Sequence, residues 1–269
     1  MKTLLGIDMG ASSTKIAALN DTGELVASGI FECVRDIGTL ERILPGFLNE
    51  NGLSADNICA AAMTGVGTAF IGETVCGIRM KKVSEFDAVA RGALTLSGLD
   101  TALVASIGTG TSFVLATKNG AKHMGGSAMG GGTIMGLAEK LIGKTDAETL
   151  SGLAESGNLG CVDLLMADIG TAPNLPQEAT ASNFGKVGHE ASPADLAAGL
   201  MNLVFQNMAT MAVFLIRNTE AKDVVVIGSA AGIKQAKHTV DAVGNLYGVN
   251  FIIPKDPAFA TAVGTALLA

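Results

Sequence analysis

Apolar positions in this chain fall in short blocks that stop at glycine. Residues 4–19, LLGIDMGASSTKIAAL, run apolar to Asp8, bend through Gly10 and a cluster of small hydroxyl residues, and turn apolar again around Lys15. Asp21-Thr22-Gly23 then opens a third β-rich run, so the segment predicts strand, tight turn, strand, hairpin, strand. The same order returns in residues 102–124, ALVASIGTGTSFVLATKNGAKHM, with Asn119-Gly120 as the hairpin turn. Two such units about a hundred residues apart predict a duplicated, two-lobed fold. Chance similarity between two small-residue hairpins is the competing reading. Duplication is favoured because both turns put Gly at the first bend and Ser or Thr just after it.

Elsewhere the apolar spacing alternates in type. Residues 38–50 and 86–97 read as amphipathic helices, and NICAAAMTG (57–65) as a buried strand ending in a glycine turn. Residues 195–217 read as one long helix, 223–232 as a buried strand entering a glycine turn, and 249–254 as the last strand. A final helix is predicted from Pro257, capped by Asp256. Strands alternating with helices mean an α/β fold. The expected division is a lobe over 1–100 and a second over 101–269, with the final helix able to pack back on the first.

Composition narrows the function classes. The 269 residues are 48% hydrophobic and 16% charged, within the globular range. A net charge of −7 with no local basic run argues against a nucleic-acid surface. Lys2 precedes only a short apolar stretch that Asp8 interrupts, which is no signal-peptide pattern. No continuous apolar run approaches the roughly 20 residues needed to span a bilayer. Cys33, Cys59, Cys76 and Cys161 form no CxxC pair and read as buried thiols in a reducing cytosol. His189 and His238 carry no motif and read as surface residues.

The thirty-five glycines carry the chemistry. Backbone N–H groups can crowd around a phosphate only where side chains are absent. Three stretches fit: Asp8-Met9-Gly10-Ala11-Ser12-Ser13 with Lys15 beyond; Gly108-Thr109-Gly110-Thr111-Ser112; and GGSAMGGGTIMG (125–136), running into an apparent helix. There is no GxxxxGK[ST] loop, so a different nucleotide architecture is expected. Asp8, ending a strand, reads as a turn aspartate alone and as a magnesium partner beside phosphate turns. Lys15 points either to solvent or back to the turn.

The segments GIDMGASSTKI (6–16), EFDA (85–88), IGTGTS (107–112), GGSAMGGGTIMGL (125–137), TASNFG (180–185) and IGSAA (227–231) together resemble the type II pantothenate kinases. These belong to the acetate/sugar kinase–Hsc70–actin superfamily. The resemblance implies a duplicated, ribonuclease H-like fold of two actin-like lobes with mixed sheets, ATP in the cleft, and a cytoplasmic homodimer. It implies transfer of the ATP γ-phosphate, with Mg2+, to the terminal hydroxyl of pantothenate, the first step of coenzyme A synthesis. Glu85 matches the catalytic glutamate. Asp8, Gly10, Ser12 and Lys15 match the first phosphate loop, with Asp8 toward the metal, and Gly108, Thr109 and Gly110 match the second. Gly130, Gly131 and Gly132 would lie by the phosphates, and Gly228 and Ser229 by the adenosine. Thr109, Ser112, His123 and Gly125 would face the substrate. His123 stands where the family has an arginine, and Ala11 where many members have glycine.

Without the resemblance, Ser84-x-x-Asp87 reads as a capping box, with Glu85 complementing the helix dipole. With it, Glu85 reads as the base and Asp87 as the structural acid of the pair. The alternatives are a related kinase acting on pantetheine or a sugar, and an ATPase that activates a partner enzyme. Asn183 in TASNFG could equally sit in a loop joining two helices.

Overall fold

The computed structural model describes residues 2–170 and 175–269. The first half runs β1 (Thr3–Met9), β2 (Thr14–Leu19), β3 (Leu25–Phe31), α1 (Ile37–Glu50), β4 (Ile58–Thr64), a hairpin of β5 (Thr74–Val75) and β6 (Ile78–Arg79), β7 (Lys81–Lys82) and α2 (Glu85–Ser97). The second runs β8 (Thr101–Ile107), β9 (Thr111–Thr117), β10 (Gly120–Ser127), α3 (Gly131–Leu141), α4 (Ala147–Ser156), β11 (Leu164–Leu165), α5 (Met166–Ile169), β12 (Thr180–Ser182), α6 (Pro193–Ile216), β13 (Asp223–Ile227), α7 (Lys234–Tyr247), β14 (Asn250–Ile252) and α8 (Ala260–Leu267).

Two five-stranded sheets share one plan. Their orders are β3-β2-β1-β4-β7 and β10-β9-β8-β13-β14. In each, an antiparallel meander of three strands receives two parallel strands on the same side. The central strands β1, β8 and β13 are almost wholly buried, as strands covered on both faces should be. α1 covers one face of the first sheet, with Leu40, Leu44 and Phe47 packed against Leu5, Ile7 and Met63. α3, α6 and α7 cover one face of the second.

The remaining faces are covered crosswise. α2 lays Val89, Ala93 and Leu94 on the second sheet, against Ala102, Val104 and Val114. α8 lays Ala262, Val263 and Ala266 on the first, against Ala17 and Leu19. The two helices cross at glycine. A Cβ on Gly92 would fall 1.7 Å from the Ala260 carbonyl oxygen, and one on Gly264 would fall 1.9 Å from that of Ala88. Neither neighbour is a flexible side chain, so the helices would have to separate. Gly264→Ala is therefore expected to destabilise the fold by about 3 kcal/mol, the upper part of the overpacking range. A urea midpoint unchanged from wild type would show that the crossing yields freely.

α6 starts two residues earlier than its pattern predicts because Ser192 caps it. The Ser192 hydroxyl accepts from Asp195 N–H, the Asp195 carboxylate accepts from Ser192 N–H, and Pro193 occupies the first turn. Hydrogen bonds from Asn158 N–H and Ser192 hold the Asp195 carboxyl below the usual carboxylate range. By length and composition α6 could cross a membrane, contrary to the expectation from continuous runs, but 56% of its most apolar window is buried in the fold.

Two further expectations change. Asp256 holds the cap position before Pro257 but makes no side-chain cap bond: it takes a left-handed φ of 54°, and what starts at Pro257 is a 3-10 turn, Pro257–Phe259, that leads into α8. The thiols are not a buried set, since Cys59, Cys76 and Cys161 are exposed and Cys33 is half-buried. His189 and His238 are exposed, as expected.

Candidate active site

The strand-end turns of both sheets open onto one cavity of about 640 Å³. That is within the usual range for small-molecule sites. Its floor is charged. Asp8 and Lys15 face each other across the β1–β2 ladder, so their side chains share a face. Lys15 is only 8% exposed and lines the cavity, which removes the solvent-facing reading. The Asp8 carboxyl is raised from 3.8 to about 6, chiefly by loss of water around it. Lys15 opposes that rise and Glu85 adds to it.

The two glycine turns meet above this floor. The hydroxyls of Ser12 and Thr109 lie 2.5 Å apart, bridging residues from the two repeats. Gly10, Gly108, Gly110 and Ser112 line the cavity beside them. Gly131 and Gly132, which open α3, also line it, but their N–H groups donate inward to the carbonyls of Gly108 and Thr109 at 2.8 and 3.0 Å. The expected open anion cradle at this helix start is thus a buttress for the second turn. Glycine is needed because a Cβ on Gly130 would sit 2.7 Å from the Gly110 backbone. Gly130 itself lies outside the lining, beneath the turn.

α2 begins at the cavity rim. Ser84 is its cap and accepts from Asp87 N–H at 3.4 Å, which is half of the expected capping box. Glu85 faces the cavity, whereas Asp87 lines a separate groove on the other side of the helix. The two acids of EFDA therefore serve different surfaces. Phe86 stacks on the His123 imidazole, with centroids 4.3 Å apart and planes 18° from parallel. His123 and Gly125, on β10, stand outside the cavity lining. Gly228 and Ser229 line it from the turn after β13.

Asn183 is elsewhere. It belongs to a buried polar network in which Asp163, fully buried, accepts from Phe184 N–H, Thr180, Asn183 and Asn202. That network fastens the TASNFG segment, which lies in the connection from α5 to α6 as the loop reading expects, to α6 itself.

Several lining residues escape a motif reading. Ser106 lies opposite Ser112 on β8–β9 and so is the second repeat's counterpart of Asp8 opposite Lys15. Aligning the repeats strand by strand would have found it. Ile134 and Met135 of α3, Met201 of α6 and Ile233 at the start of α7 form an apolar wall from three elements distant in sequence, for which no local signal exists.

The Fumble family profile matches residues 99–251, more than half of the chain. The chain belongs to the Fumble family. Among relatives of this Fumble-family chain, the type II pantothenate kinase of Staphylococcus haemolyticus is 30% identical over 237 residues, 84% of each chain. That of Staphylococcus epidermidis is 33% identical over 196 residues, 68% of this chain and 74% of the relative. Among solved structures, the activator of the 2-hydroxyisocaproyl-CoA dehydratase from Clostridium difficile with bound ADPNP superposes with a TM-score of 0.71 at 20% identity, covering 99% of this chain and 94% of that one. A ROK family glucokinase from Streptomyces griseus in complex with glucose and AMPPNP gives 0.60 at 12% identity, covering 99% of both chains. These likenesses establish the fold of this Fumble-family member as the expected actin-like one, with a mixed sheet in each lobe.

Proposed function

We propose that this chain is an ATP-dependent kinase that transfers the γ-phosphoryl group of ATP to the terminal hydroxyl of pantothenate. The observation that carries this reading is the convergence of Asp8, Lys15 and Glu85 on one cavity between two hydroxyl-bearing glycine turns. Kinship with type II pantothenate kinases supports the choice of acceptor. A homodimer working in the cytoplasm belongs to the same reading.

Phosphoryl transfer needs position and charge stabilisation more than covalent help. Lys15, buried at the floor, offsets negative charge on the phosphates. Ser12 and Thr109, already within hydrogen-bond distance of each other, exchange that bond for bonds to phosphate oxygens. Gly228 and Ser229 receive the nucleoside, and the apolar wall excludes water from its base. Glu85 orients the acceptor hydroxyl and takes its proton late in transfer. Ser112 and Thr109 hold the acceptor's polar groups.

A magnesium ion fits Asp8. Its carboxylate is short of water and only partly balanced by Lys15. Among the described residues no three His, Cys, Asp or Glu gather to hold a metal by themselves. One carboxylate plus substrate phosphates is how this cation is commonly held. When bound, the ion spreads the charge of the transferring group.

The reading is tested by ATP consumption with pantothenate, pantetheine and several sugars as acceptors. Turnover confined to sugars would replace the proposed acceptor, and ATP hydrolysis needing no alcohol would favour an ATPase. His123 gives a finer check. An arginine at this position keeps a flat group to stack on Phe86 and adds a permanent bidentate charge. His123 stands outside the cavity lining, so it can serve only the far, carboxylate end of a bound pantothenate; on that reading His123→Arg lowers the pantothenate KM about tenfold, a typical value for one added bond to a charged group. It should leave the KM of pantetheine, which has no carboxylate, unchanged. Equal KM values in variant and wild type for both acceptors would place position 123 away from the substrate.

A further inference from the structure

The cavity has one more strand-end turn, to which the chemistry above gives no role. After β4 the chain bends through Gly65, at φ 89°, into the 3-10 turn Val66–Phe70. After β13 it bends through Gly228, at φ 99°, into the 3-10 turn Ser229–Gly232. A Cβ on Gly65 would lie 2.5 Å from the Met9 carbonyl oxygen, and one on Gly228 would lie 2.4 Å from that of Ile107. The two turns are thus pressed in the same way onto the ends of β1 and β8. The second-sheet turn carries Ser229 into the cavity, and the first-sheet turn carries Val66.

Val66 is 64% exposed there, a branched apolar side chain on the half of the cavity that holds Glu85. It is fastened to the approach of Glu85. The Thr64 hydroxyl donates to the Val83 carbonyl at 2.9 Å, Val83 N–H donates to the Met63 carbonyl at 3.0 Å, and Lys82 Nζ donates to the Thr68 carbonyl at 2.8 Å. The chain leaving β4 and the chain entering α2 are therefore laced together, and Val66 and Glu85 keep one spacing.

We propose that Val66 is the apolar floor of the acceptor subsite. It selects primary alcohols whose neighbouring carbon bears alkyl groups rather than hydroxyls. This rests on the reading of Glu85 as the base. A hydroxyl pressed on Val66 loses water and gains no partner, whereas a dimethylated carbon loses nothing. Pantothenate and pantetheine carry such a carbon beside the reacting CH₂OH, whereas sugars carry a polar oxygen there, a ring ether or a hydroxyl.

The test is steady-state kinetics of Val66→Ser with pantothenate and pantetheine, alongside ATP. The acceptor KM is expected to rise about tenfold, the usual scale for lost apolar contact in a specificity pocket. The ATP KM should stay at the wild-type value. Phe70→Ser, on the same turn but outside the cavity, should change neither constant. Should Val66→Ser not fold, Val66→Thr keeps the shape, exchanges one methyl for a hydroxyl and carries the same expectation. An unchanged acceptor KM, or an equal rise in the ATP KM, overturns the assignment while leaving the kinase reading standing. A wild type that phosphorylates neither acceptor overturns the pantothenate reading and this assignment with it, so the two failures are told apart.

Discussion

Glu85→Gln loses about 10²–10⁴-fold in kcat, the contribution of a positioned base, while ATP binding persists. The amide keeps the size of the side chain and its place in the first turn of α2, and the Ser84 cap does not involve it. Loss of the carboxylate therefore removes proton acceptance without removing the helix start. The structure sharpens this expectation because Glu85 and Asp87 face different cavities. Asp87→Asn, which alters the outer groove, serves as the matched control and keeps most of the turnover. Titrating nucleotide binding beside single-turnover rates separates the two quantities. Near-wild-type turnover in Glu85→Gln would leave Glu85 with only its dipole role.

Asp8→Asn is expected to move activity and stability in opposite directions. Activity falls about 10–100-fold at limiting magnesium, the scale for removing an outer partner of a metal. The apo fold, by contrast, becomes more stable. The Asp8 carboxyl sits at about 6 in the folded chain against 3.8 for the free side chain. Below the lower value both states are protonated, and wild type and variant should melt alike. As pH rises toward about 6 the unfolded chain ionises first, and native stability declines. Above it, ionised Asp8 costs the fold about 3 kcal/mol, at about 1.4 kcal/mol per pH unit of displacement. The asparagine variant avoids that cost. Melting temperatures without nucleotide, taken from pH 4 to 8, should nearly coincide at pH 4, diverge progressively up to about pH 6 and stay apart above it. An asparagine variant that melts at or below wild type at pH 8 would show that Asp8 is well solvated or fully paired.

Much of this site was legible before any coordinates. Both glycine turns and Asp8 lie where short local patterns put them, because each is fixed by a strand end; Lys15 is left open between solvent and the turn by its pattern, and Glu85 and Gly228 are placed at the site by the resemblance. What stayed hidden depends on long-range packing. The run at 125–136 reads as an open anion site, and only the fold reveals that its helix start is spent on Gly108 and Thr109. The resemblance puts His123 at the substrate, whereas its stacking on Phe86 depends on α2 lying beside β10. Val66 carries no motif at all, and its meaning comes from the matching turn on the other sheet. The buried network around Asp163 joins β12 to α6 through side chains far apart in sequence, which no periodicity reports.

The crosswise covering of the sheets sets an order of events during synthesis. The first sheet is made early, yet Ala17 and Leu19 are covered by Ala262, Val263 and Ala266 of α8, and Gly6 is fitted beneath the Ala262 carbonyl. A nascent chain on the ribosome therefore holds one face of that sheet uncovered until α8 has left the exit tunnel. Chaperone engagement should be longest over that interval and end when α8 docks. For the same reason, a fusion or truncation that disturbs α8 would damage the earliest-made strands.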